Sequence, residues 1–168
     1  MSIGISMDWD GLHATLGRIA AIGAQPAPLL AAIGTGLESS TRQRFRDGED
    51  PSGIKWASYA PLNPAYAANK KGTQILVESG SLRTSIYSGV VGNEVFVGSE
   101  LPYAAVHQFG AVIKPKNAEP LRFMLGDHLV SMLSVTIPAR PYLGLSDGDR
   151  EMILGELEGA LTRAIGRG

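Results

Sequence analysis

The chain has 168 residues, about the size of one domain, and carries a net charge of −1 at pH 7. Apolar residues make up 44% and charged residues 18%, which excludes disordered chains that combine low hydrophobicity with high charge. The near-zero net charge and the pI near 6.3 argue against a nucleic-acid-binding domain, which normally has a basic excess. They are typical of a protein that works inside an assembly.

Cysteine is absent, which excludes disulfides, cysteine–zinc sites and thiol nucleophiles. The N-terminus lacks the basic region and apolar stretch of a signal peptide. No apolar run reaches about eighteen residues, the length that spanning a bilayer requires. We therefore expect a soluble protein made inside the cell, with no membrane partner. The 21 glycines are scattered, which predicts many turns between short elements.

The N-terminal part, about residues 8–46, has the pattern of two helices. Asp8 or Asp10 is placed to cap the first helix. Pro26 and Pro28 open the second helix, because proline is tolerated in the first helical turn. The apolar stripe predicted for this second helix consists of Leu29, Leu30, Ile33, Leu37 and Phe45.

Three arginines, Arg42, Arg44 and Arg46, lie in the last turns of the second helix. Cations there suit the negative end of the helix dipole. We interpret them as a solvated basic helix end, with a phosphate or partner contact as the alternative.

The run from Asp47 to Gly53 is rich in turn formers and ends the second helix. Trp56 follows it and is expected to pack back over the core. A short helix is predicted from about Pro61 to Lys71, and another one begins near Ser79.

From about residue 75 to 145 the pattern changes to strands and turns. Gly92-Asn93 and Gly126-Asp127 are two-residue hairpin turns between alternating apolar segments. Residues 102–109 predict a short helix that ends at Gly110. A final helix, about residues 147–166, is capped by the run that begins at Ser146. Its apolar positions are Ile153, Leu154, Leu157, Leu161 and Ile165.

The chain has helices first, antiparallel hairpins in the middle and a helix last. This order predicts an α+β fold. We expect a single domain over residues 1–168, because no change in composition marks an internal boundary.

The sequence contains no recognisable catalytic, cofactor or metal motif. His13, His107 and His128 are too far apart for metal-ligand spacing. Neither a phosphate-binding glycine loop nor a G-x-S-x-G nucleophile motif is present. The acidic run at residues 47–50 does not match the ligand pattern of a calcium loop. We therefore predict no cofactor, no metal and no catalytic residue.

Two segments stand out. The first, Pro102–Gly110, places four side chains capable of specific contacts before a glycine, and they are Tyr103, His107, Gln108 and Phe109. We expect a helix whose Tyr103, Val106 and Phe109 face the core, while His107 and Gln108 hydrogen-bond to neighbouring backbone.

The second segment, Ile137–Gly144, holds Arg140 between Pro138 and Pro141, with Tyr142 following. Prolines on both sides keep the backbone extended. An arginine presented this rigidly suits a fixed carboxylate or backbone partner. The alternative is that the segment only packs and ends a strand. We predict that Arg140 supports the fold or a subunit contact rather than catalysis.

A set of short motifs follows in order along the chain. They are Phe45-Arg-Asp-Gly48, Pro51-Ser-Gly53 with Trp56, Ile75-Leu76, Ser79-Gly-Ser-Leu-Arg83, Val97-Gly98, Tyr103-Ala104, His107-Gln-Phe-Gly110 and Ile137-Pro-Ala-Arg-Pro-Tyr-Leu-Gly144. The set resembles the virion morphogenesis (tail completion) proteins of Mu-like and P2-like tailed bacteriophages, over about residues 26–166. The pairing of the last two motifs is its most specific part.

This resemblance implies a non-enzymatic structural protein of the virion neck, assembled in the cytoplasm of the host bacterium, which completes the tail and joins it to the head. It implies a tail-component type of α+β fold and a ring, hexameric in the virion. The implied partners are further copies of the chain, the tail tube or tail terminator, and the head–tail connector, with no specific nucleic acid. It also implies an assembly role for Tyr103, His107, Gln108, Phe109, Gly110, Arg140, Pro141 and Tyr142.

Two other classes of function are left open by the residues themselves. A small phage-encoded hydrolase could use His107 with a nearby serine, in which case His107→Ala would abolish turnover without unfolding the chain. DNA binding is disfavoured by the pI, and a steeply salt-dependent affinity for duplex DNA would restore it.

Overall fold

The computed structural model describes residues 9–117, 119–125 and 128–166. Seven helices and six strands follow one another in these ranges, in the α+β arrangement that the sequence predicts. The helices are α1 (Trp9–Ala24), α2 (Ala27–Asp47), α3 (Trp56–Tyr59), α4 (Pro64–Asn69), α5 (Ser81–Thr84), α6 (Ala104–Phe109) and α7 (Asp147–Ile165). The strands are β1 (Tyr87–Val91), β2 (Glu94–Gly98), β3 (Ala111–Ile113), β4 (Leu121–Leu125), β5 (His128–Met132) and β6 (Val135–Ile137).

The strands form three separate antiparallel pairs: β1 with β2, β3 with β6, and β4 with β5. The predicted hairpin around Gly92 is confirmed, since Val91 pairs with Glu94 and Gly92 has a φ of 59°. The turn predicted at Gly126-Asp127 lies outside the described residues, but the strands on either side of it do pair. The segment after that turn is two strands rather than one, because β6 leaves β5 to pair with β3.

Helix α2 is the central element and packs on β1, β2 and α7. It starts after Pro26 and ends at Gly48, whose left-handed φ of 68° directs its N–H to the carbonyl of Arg44. Asp10 lies inside α1 rather than at its N-cap position; Asp8 lies outside the described residues. The helix predicted from Pro61 to Lys71 is shorter, because α4 begins only after its Asn63 cap.

The core lies between α2 and the segments that follow it. Its buried residues are Phe45, Trp56, Ile75, Leu82, Ile86, Ala104 and Tyr142. The ring of Phe45 contacts those of Trp56 and Tyr142, with centroids 5.8 Å and 5.1 Å apart. Trp56 is fully buried, as part of the core rather than a cover over it.

The solvated basic end predicted for α2 is wrong for Arg44. Arg44 is buried and forms an ion pair with Asp149 of α7. Arg42 pairs with Glu38 and donates to the carbonyl of Ile86 at 2.7 Å, while its side chain stays 40% exposed. Arg46 is exposed. The buried guanidinium of Arg44 has acceptors that the chain supplies from distant segments, and this offsets the cost of its burial.

Helix α7 has the predicted cap, in which Ser146 and Asp149 form a reciprocal capping box. Its apolar stripe, however, is largely outside: Leu154 is 58% and Ile165 is 57% exposed. The buried residues of α7 are Asp149, which pairs with Arg44, and Ala164, while Ile153 and Leu161 of the predicted stripe are half-buried.

Candidate functional site

The two unusual segments of the sequence lie directly against each other. The backbone N–H of Arg140 donates to the carbonyl of His107 at 2.7 Å. The hydroxyl of the buried Tyr142 donates to the carbonyl of Ala104 at 3.1 Å. Helix α6 and the extended segment 137–144 therefore form one unit, although about thirty residues separate them in sequence.

Gln108 makes most of the bonds within this unit. Its side-chain oxygen accepts the backbone N–H groups of Tyr142 and Leu143, both at 3.0 Å. Its amide nitrogen donates to the carbonyl of Leu143 at 3.0 Å. A primary amide has both a donor and an acceptor, so it can pair with an extended backbone much as a neighbouring strand would. The expected backbone contact of Gln108 is confirmed.

The buried guanidinium of Arg140 has backbone partners. Its Nε donates to the carbonyl of Ala60 at 2.8 Å and its Nη2 to that of Pro61 at 3.0 Å. Arg140 thus holds the turn between α3 and α4 against segment 137–144. The carbonyl of Pro141 accepts the indole N–H of Trp56 at 3.0 Å.

A second arginine holds the same segment from the other side. Arg44 donates to the carbonyls of Tyr142 and Gly144, at 3.0 Å and 2.9 Å, and also to Asp149. This contact was not predicted from the sequence. The signal in the sequence was that Arg44 directly precedes the apolar Phe45 in α2. It lies at the C-terminal end of that helix, which was expected to be solvated.

Gly110 connects α6 to β3 in a conformation that glycine alone adopts readily, with φ 73° and ψ 166°. A Cβ on Gly110 would lie 2.9 Å from the nitrogen of Ala139 and 3.0 Å from the carbonyl oxygen of Ile137. The close approach of the two segments therefore requires a glycine at this position.

The prediction that Tyr103 and Phe109 face the core is wrong. Phe109 is 77% and Tyr103 is 42% exposed. Because α6 turns Ala104 and Gln108 toward segment 137–144, the two aromatic residues point away from it. Tyr103 instead contacts the imidazole of His107 edge-on, with centroids 5.9 Å apart.

A large groove opens beside this unit, with a volume of about 1000 Å³. It is lined by parts of the 61–82 region, by Tyr103 and His107, by the hairpin β4–β5, and by residues 134–138 with Arg140. The buried Lys70 in its wall pairs with Glu78 at 2.8 Å and also donates to the carbonyl of Val77. Most of the lining is apolar, and its apolar side chains include Leu62, Leu76, Val77, Phe123, Leu125, Met132, Val135 and Ile137.

His107 is half-buried at the edge of the groove. Its Nδ1 is buried without a hydrogen-bond partner among the described residues. Burial lowers the pKa of His107, and the neighbouring positive charge of Arg140 lowers it further. A histidine that serves as general base is normally oriented through a bond from its other ring nitrogen. Here the described partners supply no such bond to Nδ1, although Ser79, Ser81 and Ser134 line the same groove.

Within the described ranges, no cluster of three or more histidine or acidic side chains is arranged to hold a metal ion. In the same part of the chain, no single helix has the length and apolar character to cross a membrane. The bent pair formed by residues 11–24 and 27–47 meets those two criteria jointly, with a bend of 57°.

Comparison with known proteins identifies relatives along almost the whole chain. The model of the phage virion morphogenesis family matches residues 7–162. The Mu-like prophage FluMu G protein 2 of Haemophilus influenzae is 32% identical over 147 residues, which cover 88% of this chain and 86% of that protein. No solved structure matches. The chain belongs to the phage virion morphogenesis family.

Proposed function

We propose that this chain is a non-enzymatic structural protein that completes the phage tail and joins it to the head at the virion neck. The family establishes a role in virion morphogenesis. The structural, non-enzymatic part of the proposal is supported by how the chain uses its two segments. Gln108, Arg140 and Tyr142 direct their polar groups at backbone within the molecule, so they build a scaffold rather than present reactive groups to a substrate.

The proposed partners follow from this position. Further copies of the chain would form a hexameric ring, with the tail tube or tail terminator on one side and the head–tail connector on the other. The protein would be assembled in the cytoplasm of the host bacterium, without a specific nucleic acid or membrane partner. The exposed apolar residues support protein partners, since a lightly charged surface with many large apolar side chains is typical of an assembly component.

A phage that lacks this gene provides the direct test. Electron micrographs of the lysate should show filled heads and separate tails, and the wild-type gene supplied from a plasmid should restore joined particles. Joined, infectious particles in the absence of the gene would contradict the proposal. A lysate with no tails at all would place the protein earlier, in the building of the tail.

The groove that holds His107 together with three serines favours a second candidate, the small hydrolase. The purified chain should be incubated with peptidoglycan and with ester substrates, beside the His107→Ala and Ser134→Ala variants. Turnover that either substitution abolishes in a folded protein would support the hydrolase. Particle joining by His107→Ala at the wild-type level, with no turnover by the wild-type chain, would support the structural role.

A further inference from the structure

The groove borders two strands along their edges. Phe123, Met124 and Leu125 of β4 are consecutive residues, and all three line it. Residues 134–138, which include the whole of β6, also line it without a gap. Because successive side chains of a strand point to opposite faces, a surface against one face is lined by every second residue. Lining by consecutive residues therefore places the groove at the strand edges.

The two edges at the groove are free to pair. Among the described strands, β4 pairs only with β5, and β6 pairs only with β3. The opposite edge of each strand is covered by that partner, so the edge at the groove presents unpaired backbone N–H and C=O groups. An extended polypeptide can bond to such an edge and place alternate side chains in pockets beside it. An acyl chain has no groups that pair with a strand edge.

The groove has room for several apolar side chains of such a segment. Its volume of about 1000 Å³ is at the upper end of the range for binding pockets, about 300–1,000 Å³. Most of its lining is apolar, with side chains from the 61–82 region on one side and from the two strands on the other. These side chains favour apolar residues in an occupant.

One positive charge in the lining is not balanced by a carboxylate. The charged residues of the groove are Lys70, Glu78 and Arg140, and the first two pair with each other. Arg140 is only 6% exposed and donates to two backbone carbonyls, but it forms no ion pair among the described residues. A buried charge is normally paired with an opposite charge. A carboxylate on the occupant would supply it, whereas a cation would be repelled.

The residue beside Arg140 in the groove also has an unsatisfied polar group. His107 is joined to Arg140 by a backbone hydrogen bond, and its buried Nδ1 has no hydrogen-bond partner in the described ranges. Buried polar atoms without a partner are few in native proteins. The unbalanced charge and the unpaired nitrogen thus lie on neighbouring residues, which identifies this part of the groove as the place for a polar group of the occupant.

We propose that the groove binds an extended, mainly apolar polypeptide segment of a partner protein, with an acidic side chain of that segment against Arg140. The backbone of the segment pairs with the free edge of β4 or β6, and its apolar side chains fill the groove. This inference goes beyond the proposed place at the virion neck and does not depend on it, because a partner in any assembly could supply the segment.

A displayed library of random ten-residue peptides, selected on the immobilised full chain, tests the preferred chemistry without a known partner. The enriched peptides should combine apolar residues with an acidic one. In the synthetic form of an enriched peptide, replacing the acid with lysine should raise the dissociation constant at least about tenfold, because the lysine would lie against Arg140. Titration calorimetry with the purified chain measures this change.

Two serine variants test where the peptide binds. Ser134 is exposed and lines the groove, whereas Ser131 is exposed and does not line it. Ser134→Asp should weaken binding of the acidic peptide at least about tenfold, because it adds a like charge to the groove. Ser131→Asp is the matched control and should bind as the wild type does. Both variants should keep the wild-type thermal midpoint. Arg140 is left in place, because its two bonds support the fold.

Decanoate separates a polypeptide occupant from a fatty acid. It has a carboxylate and an apolar chain but no backbone groups for the strand edges. Its dissociation constant should be at least about tenfold higher than that of the enriched peptide, since it lacks the hydrogen bonds to the edge.

Four results would overturn the proposal. The first is a selection that enriches basic peptides, uncharged peptides or none. The second is an equal loss of binding in Ser131→Asp and Ser134→Asp. The third is decanoate binding as tight as that of the peptide. The fourth is a chain that self-associates and thereby excludes the peptide, which would identify a second copy as the occupant. Head–tail joining is tested separately, by the phage that lacks the gene.

Discussion

At the scale of single residues, the unusual feature is the number of polar side chains that serve the backbone of one irregular segment. Segment 137–144 is mostly outside strands, so its N–H and C=O groups need partners from elsewhere. Gln108, Arg44 and the backbone of His107 supply them. Arg140 extends the same network to the turn after α3. Here long polar side chains supply the hydrogen bonds that a neighbouring strand supplies in a sheet.

Replacing Arg140 with lysine should lower the free energy of unfolding by about 1–3 kcal/mol. The buried guanidinium donates from Nε and Nη2 to two carbonyls, while an ammonium cannot reproduce this fork. Urea unfolding followed by circular dichroism measures the change. Arg46→Lys, at an exposed position of α2, is the matched control and should change stability by less than about 0.5 kcal/mol. A wild-type midpoint for Arg140→Lys would mean that its two bonds contribute nothing net.

Replacing Asp149 with asparagine should cost about 3–5 kcal/mol, since it leaves the buried Arg44 cation without its counter-charge. Asp147→Asn is the control, because Asp147 lies in the same helical turn and is fully exposed. Only the Asp149 variant should show a large loss of stability. Equal effects of the two substitutions would show that the helix end, rather than the ion pair, is what matters.

The same carboxyl predicts a pH dependence. Burial raises the pKa of Asp149, but hydrogen bonds from Ser40 and Ser146 and the charge of Arg44 outweigh this, so its pKa in the folded protein lies below the ordinary 3.8. The stability it contributes is therefore complete above that value and is lost as the pH falls through the lower, folded-state pKa. Urea unfolding between pH 7 and pH 3 should show a smaller acid loss in Asp149→Asn than in the wild type. If stability falls with pH equally in the two proteins, Asp149 is not the source of the acid loss.

At the scale of elements, the packing of helices and strands depends on how closely their backbones approach and on which side of each helix faces its neighbour. Gly110 lets α6 and β3 lie against segment 137–144 without a side chain between them. Gly36 plays a similar part in α2, where a Cβ would lie 2.7 Å from Sδ of Met152 in α7. In α7, the side that faces α2 includes Asp149, which pairs with Arg44.

Gly110→Ala should destabilise the fold by at least about 2 kcal/mol, since it adds a backbone clash to a φ/ψ region that costs other residues about 1–3 kcal/mol. Gly92→Ala is the matched control: its φ is also positive, but its Cβ would meet no atom within 4 Å. That variant should lose only about 1 kcal/mol. The thermal midpoints of the two variants show which substitution destabilises the fold more. A smaller loss at Gly110 than at Gly92 would contradict the close approach.

At the scale of the whole molecule, packing is uneven. Helix α2 contacts β1, β2 and α7, whereas β4 and β5 mainly contact each other. Elements with few outside contacts open at a lower free energy than the core. The hairpin β4–β5 is therefore expected to open at a lower free energy than α2.

Hydrogen exchange measures this difference in packing directly. In the dilute chain, amides of the hairpin β4–β5 should exchange at least about tenfold faster than those of α2, because the hairpin has few contacts outside itself. The hairpin β1–β2, which packs on α2, is the matched control and should exchange more slowly than β4–β5. Equal exchange in the two hairpins would contradict the uneven packing.

The sequence by itself determined the order and type of the main elements. Turn residues such as Gly92, the cap at Ser146 and the periods of apolar residues depend only on neighbours within a few positions, so they can be recognised without the fold. The family resemblance, too, depended on motifs that are contiguous in sequence, and the comparisons confirm it.

Only the tertiary structure decided which side of each element is buried. Arg44 and Asp149 are 105 positions apart, and no local pattern predicts that they pair. In α7 it is Asp149 that is buried while Leu154 is exposed, and in α6 it is Gln108 that contacts segment 137–144 while Phe109 is exposed. The groove likewise exists only where distant segments meet. A helix or strand pattern predicts that an apolar face exists. Contacts between distant parts of the chain determine which element covers that face.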